Sequence, residues 1–167
     1  MATVYVNLSG LDTAWSRACQ KAVGDLNSLF KSNGINVVLT TKGPQALTIT
    51  VRTDPGIQGT ALHGRTSAET DGSGRMLRSE VRLPVNVTIN TPNGIRNAGS
   101  GFLEVIAAHE FVHALGHAPH NTLLMTQTMN KNPGDTAAGD RVMAGSVSMP
   151  PLRLSSESVD LLTSTWP

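Results

Sequence analysis

Apolar and polar residues alternate at the start of the chain, and residues 3–8 (TVYVNL) are rich in β-branched and aromatic types, the pattern of a half-buried strand. The spacing then changes. Leu11, Trp15, Ala18, Cys19, Ala22, Val23, Leu26, Leu29 and Phe30 recur at three- and four-residue steps. This predicts a long helix with Asp12 as N-cap and Asn33-Gly34 as a left-handed stop. Residues 35–41 and 46–52 read as two further strands around the Lys42-Gly43-Pro44 turn. The Gly-, Ser- and Thr-rich stretch 54–74 is interrupted by TALHGRT (60–66), expected to be a short, exposed edge strand. Residues 80–90 alternate again, and Pro84 within them marks a bend, an edge or a strand boundary.

After a turn at Pro92-Asn93-Gly94 comes GFLEVIAAHEFVHALG (101–116), apolar nearly all round and hence a helix buried on most sides, ended by Gly116. Residues 126–151 look like loop. A last helix follows, with Ser155 as N-cap and Val159, Leu162 and Trp166 facing inward.

Composition adds limits to this outline. With 167 residues, 39% apolar and 15% charged, the chain suits a single domain over 1–167 with a core of its own, and no internal repeat is visible. A net charge of +1 supplies no broad field for nucleic acid or an anionic membrane, so neither is expected as a partner. Arg65, Arg75, Arg78 and Arg82 form a local basic stretch, read as a solvated loop face. Cys19 is the only cysteine and falls on the buried helix face, where it packs; no internal disulfide can form. The start of the chain has neither a basic n-region nor a long apolar h-region, and no run is long enough to span a bilayer. A soluble protein without a signal peptide is the expectation.

The chemistry concentrates in residues 107–125, AAHEFVHALGHAPHNTLLM, which hold four of the five histidines. His109 and His113 are four apart on a predicted helix, so they stack on one face a turn apart and can bind one metal ion. Zn²⁺ is the natural guest, because imidazole suits it and no thiolate is on offer. Glu110 stands beside the first of them, in reach of a metal-held water whose proton a carboxylate can take. Burying two imidazoles and a carboxylate among Phe102, Leu103, Val105, Ile106, Phe111, Val112 and Leu115 is costly unless a partner offsets it, and a metal ion is such a partner.

His109, Glu110, His113 and Gly116 resemble the signature of the metzincin metalloproteases, most closely the matrixin-like branch, in which H-E-x-x-H-x-x-G-x-x-H precedes a methionine-containing turn. Position 119, where the family's third His would fall, is Pro119; His120 stands one residue late, and His117 one residue after the glycine. A bulge after Gly116 lets His120 close the tripod, with His117 as the alternative ligand. The resemblance implies an α/β fold of the α+β zincin kind. It has a mixed, mostly parallel twisted sheet of about five strands with an antiparallel edge strand, a long helix, an active-site helix and a C-terminal helix. TALHGRT would be the edge strand and VNVTIN (85–90) the strand after it. The methionine turn would use Met125, with Met149 as competitor, and residues 145–153 would wall the main specificity pocket.

The resemblance further implies a zinc endopeptidase with one catalytic Zn²⁺ on His109, His113 and His120. Glu110 would be general base and proton shuttle, and an extended protein or peptide substrate would lie along the edge strand. A monomer acting outside the cell is implied as well. The latency cysteine of matrixins and their clusters for structural zinc and calcium have no counterpart here, so only the catalytic metal is expected. His63, on the proposed edge strand, is read as structural or rim-exposed. A second reading keeps the scaffold and metal as a protein-binding module without turnover; a third, an amidase or deformylase, lacks the partner Cys motif.

Overall fold

Val4 and Val6 in β1 (Ala2–Asn7), Val37 and Leu39 in β2 (Val37–Thr40) and Ile49 and Val51 in β3 (Leu47–Asp54) are all buried, whereas their sequence neighbours are not. This two-residue period gives the sheet one apolar face, and the helices pack on it. The computed structural model describes residues 1–120, 123–129 and 147–167. In addition to these three strands the sheet contains β4 (Arg65–Thr70) and β5 (Met76–Pro84), in the order β2-β1-β3-β5-β4. All pairings are parallel except β4 with β5, which is antiparallel and places β4 at an edge. The fold is therefore mixed α/β with a mostly parallel five-stranded sheet and an antiparallel edge strand.

Among the described residues three helices complete the layer: α1 (Thr13–Ser32), α2 (Ser100–Ala114) and α3 (Ser156–Thr165). Asp12 caps α1, its Oδ1 accepting the Trp15 N–H at 2.8 Å. Gly34, at φ 70°, ends it, with the Ile35 N–H reaching the Phe30 carbonyl at 2.9 Å. Trp15, Ala18, Cys19, Ala22, Val23, Leu26 and Phe30 form the buried stripe of α1. The Cys19 thiol is pushed up to about 12, chiefly by burial and then by Asp12, which makes it inert packing. A main cluster joins β1, β2, β3, β5, α1, α2 and α3; a small second one consists of Ile89, Phe102 and Met149. Among the described residues no helix is long and apolar enough to cross a membrane.

The two sheet edges differ. Asn27 of α1 bonds both backbone groups of Leu39, its Nδ2 donating to the carbonyl and its Oδ1 accepting the N–H, each at 2.8 Å. That closes the β2 edge. β4 has β5 on one side and no further strand among the described residues on the other.

Several elements lie elsewhere than the sequence suggests. The edge strand is 65–70 rather than 60–66: Gly59–Ala61 make a short 3-10 turn and Leu62 is left-handed at φ 55°. The cause is packing. A Cβ on Gly59 would lie 1.7 Å from the Asn86 carbonyl oxygen, so this segment is pressed onto residues 86–87 and held off the sheet. The strand next to the edge is β5, not VNVTIN, and it stops at Pro84, whose ring offers no N–H to extend the ladder. β6 (Thr88–Thr91) instead pairs with β7 (Gly94–Asn97) in a separate hairpin through the Pro92-Asn93-Gly94 turn.

Part of the expected loop 126–151 is strand, since β8 (Leu124–Met129) pairs antiparallel with β9 (Val147–Leu154); the rest of it falls outside the described residues. The basic stretch is not a loop face. Arg78 pairs with Glu69 at 2.8 Å, Arg82 with Asp54 at 3.3 Å, and Arg75 lies 5.3 Å over the Trp166 ring.

Candidate metal centre

The last four carbonyls of a helix have no intrahelical donor, and a buried helix end needs one for each. In α2 all four are satisfied. His117 N–H donates to Val112 O at 3.4 Å and Gly116 N–H to His113 O at 3.0 Å, the two bonds of a Schellman ending. Ser79 Oγ donates to Ala114 O at 2.8 Å, and the Trp166 indole N–H to Leu115 O at 3.0 Å. Gly116 is needed for two reasons. Its φ is 108°, and a Cβ there would meet the Gly74 carbonyl at 2.5 Å. The turn sends the chain back along the helix face that carries the histidines.

His109, His113 and His120 come together there, with one nitrogen from each all within 4.8 Å of one another. The Nε2 atoms of His109 and His113 are 3.0 Å apart. Two imidazole nitrogens on a tetrahedral zinc would be separated by about 3.3 Å, so the pair fits a shared ion with little adjustment. The His113 ring centroid is 4.6 Å from those of both His109 and His120. His113 Nδ1 lies 2.5 Å from the His117 carbonyl, to which only an N–H can bond, so its Nε2 carries the lone pair that faces the other rings. Burial, followed by the neighbouring imidazoles, pushes His109 down to about 4; it is neutral with a free lone pair at ordinary pH. Among the described residues the cluster offers three nitrogen donors and no fourth protein ligand, a set that could hold a metal ion.

Glu110 is buried at 4% exposure and stands outside the three-histidine set. Its Oε1 accepts the Gly64 N–H at 3.2 Å and its Oε2 the Thr66 hydroxyl at 2.5 Å. The carboxylate is thus tied to the start of the edge strand. Gly64 leaves room for it, because a Cβ there would come within 2.9 Å of Glu110 Cγ and 2.7 Å of the Arg82 carbonyl. Neither Gly64 nor Thr66 stood out in the sequence, although both belong to the TALHGRT segment that did. A cleft of about 230 Å³, lined by Thr66, Ala68, Thr70, His113, Gly116 and Ala118, lies between β4 and the end of α2.

The remaining candidates separate from the cluster. His63 is exposed, its Nδ1 2.9 Å from the Gly64 carbonyl oxygen, and it is not in the cluster. His117, the alternative ligand, is fully buried and its Nε2 is 3.0 Å from Ser158 Oγ, so its ring points into the core. Met125 is 42% exposed on β8, which excludes it as the residue packed beneath the histidines; Met149 is buried, but against Ile89 and Phe102. Of the expected pocket wall, residues 147–153 belong to β9 and 145–146 lie outside the described residues. No model of a known protein family matches the chain and no curated protein matches it, so its function is read from these three imidazoles and what surrounds them.

Proposed function

We propose that the protein is a zinc-dependent endopeptidase of metzincin-like design that cleaves extended protein or peptide substrates. The observation that carries this reading is the approach of His109, His113 and His120 to within 4.8 Å, one residue from a buried carboxylate. Zinc held by these nitrogens would supply Lewis acidity and a water with its pKa lowered to about 7. Glu110, its rotamer held by Gly64 and Thr66, would be the group that accepts a proton beside the metal and passes it to the leaving amine. The open side of β4 offers backbone donors and acceptors to a substrate strand, and the cleft beside His113 receives a side chain from it.

A second reading, a metal-holding protein-binding module, draws on one observation. Glu110 joins α2 to the edge strand, a structural task that a carboxylate can perform without catalysis. The test is zinc content by elemental analysis, followed by cleavage of a quenched peptide library by wild type and Glu110→Gln. The endopeptidase reading expects one zinc in each protein and a loss of about 10²-fold or more in Glu110→Gln. Zinc in both with no cleavage by either, or equal cleavage by both, selects against it.

A further inference from the structure

We propose that His117 is a positioning residue: its imidazole, latched to α3 through Ser158, holds the backbone carbonyl that fixes the tautomer and orientation of His113. The inference rests on the metal-site reading above. It extends that reading to a residue that binds no metal and touches no substrate.

The hydrogen bonds around Ser158 favour one assignment of its proton. Ser158 Oγ lies 2.8 Å from the Leu123 carbonyl, 2.8 Å from Ser155 Oγ and 3.0 Å from His117 Nε2. The carbonyl can only accept, so the single Ser158 proton goes to Leu123, and Ser158 accepts from Ser155 and from His117. Ser155 is in turn held by the Ser158 backbone N–H, which donates to its Oγ at 3.1 Å as the N-cap of α3. His117 must therefore be the Nε2–H tautomer, leaving its buried Nδ1 as an acceptor without a partner. The opposite tautomer would turn the single Ser158 proton toward His117 and deprive the Leu123 carbonyl of its donor, a worse arrangement.

The other end of residue 117 faces the metal site. Its N–H closes the Schellman turn on Val112, and its carbonyl receives the His113 Nδ1–H. Backbone at both ends and a directional side-chain bond in the middle leave the carbonyl little freedom. An apolar residue would fill the same space but could slide; a hydrogen bond to a serine that is itself held twice cannot slide without breaking. Losing such an outer contact to a metal-binding histidine typically lowers metal affinity 10- to 100-fold.

The variants are His117→Leu, which keeps volume and loses the bond, and His117→Gln, whose amide nitrogen reaches the position of Nε2. Zn²⁺ and Co²⁺ affinities by chelator competition, the visible spectrum of the Co²⁺ form and the histidine ¹H–¹⁵N two-bond correlations of metal-free protein are measured together. In metal-free wild type, His113 is expected as Nδ1–H and His117 as Nε2–H. His117→Leu is expected to lose 10- to 100-fold in affinity, to shift the Co²⁺ bands and to mix the His113 tautomers; His117→Gln returns to within a few-fold. Wild-type affinity and spectrum in His117→Leu overturn the proposal, as does equal loss in folded His117→Leu and His117→Gln. If His117→Leu does not fold, Ser158→Ala breaks the latch from the other side and is held to the same affinity and tautomer criteria. Wild type that binds neither Zn²⁺ nor Co²⁺ sinks the metal reading itself, a failure seen before any variant is compared.

Discussion

Gly64 illustrates how much of this site depends on what a residue lacks. A methyl group there would push on Glu110 Cγ at 2.9 Å and on the Arg82 carbonyl at 2.7 Å. Gly64→Ala should cost roughly 1–3 kcal/mol in stability, read as a lower urea midpoint, and should impair cleavage more than zinc binding. Unchanged cleavage would mean that the carboxylate is not held where the endopeptidase needs it. Glu110→Ala removes the acceptor of a buried N–H and should destabilise by about 1–3 kcal/mol, whereas Glu110→Gln keeps an acceptor for Gly64 and should unfold near wild type. Single residues were unevenly legible. The four-residue step of His109 and His113 is explicit in the sequence. Ser158, read neither as core nor as site, takes the inward place on α3 that Val159 was expected to take, because its hydroxyl is matched by partners 35 and 41 residues away.

Among elements, the packing of α1 on α2 carries a charge problem. Glu104 of α2 is 2% exposed, and its Oε1 accepts no hydrogen bond, with Lys21 Nζ 3.7 Å away. Burial, followed by a hydrogen bond with Asp25, pushes it up to about 7, and Lys21 only partly offsets this. The folded protein therefore holds a proton that the unfolded chain releases near the ordinary glutamate value of 4.5. This contribution to stability is complete below about pH 4.5 and is lost as pH rises to about 7. His109 works the other way, losing stability as pH falls from 6.5 toward 4. Glu104→Gln should isolate the first effect: the difference in unfolding free energy from wild type should grow in favour of the variant between pH 5 and 8, by on the order of 1–2 kcal/mol. A pH-independent difference would remove Glu104 as its source.

Periodicity predicted α1 and the first three strands because each is set by its own buried stripe, whereas α2 was legible from a long apolar run ended by Gly116 and is buried on most sides. It misplaced the edge strand and split 80–90 wrongly, since there the outcome was decided by backbone contact between Gly59 and Asn86, which no local pattern encodes.

For the whole molecule, the core and the candidate metal centre are built from different groups. The sheet, α1 and most of α2 bury their apolar faces without the three histidines. Chelation should therefore leave far-UV circular dichroism nearly unchanged while lowering the melting temperature. A metal present at 100 times its Kd adds about 2.7 kcal/mol. For a chain of this size that amounts to roughly 5–10 °C. A chelator-independent melting curve would contradict a bound ion, and complete unfolding would contradict a self-sufficient core. The overall α/β plan was legible from the order of periodic segments; the convergence of His120 was expected from the family resemblance, with His117 left as the alternative, because no local pattern encodes how the chain returns after Gly116.

The bond from the Trp166 indole to the Leu115 carbonyl also bears on the order of events during synthesis. Every strand of the main sheet and the whole of α2 precede residue 115 and are made before α3. The carbonyl at the end of that helix and the ring of His117 have to wait for partners some fifty and forty residues further on. Competence to capture a metal should thus arise only once α3 has been made and has docked, which keeps a nascent chain from assembling the histidine cluster before that helix is in place.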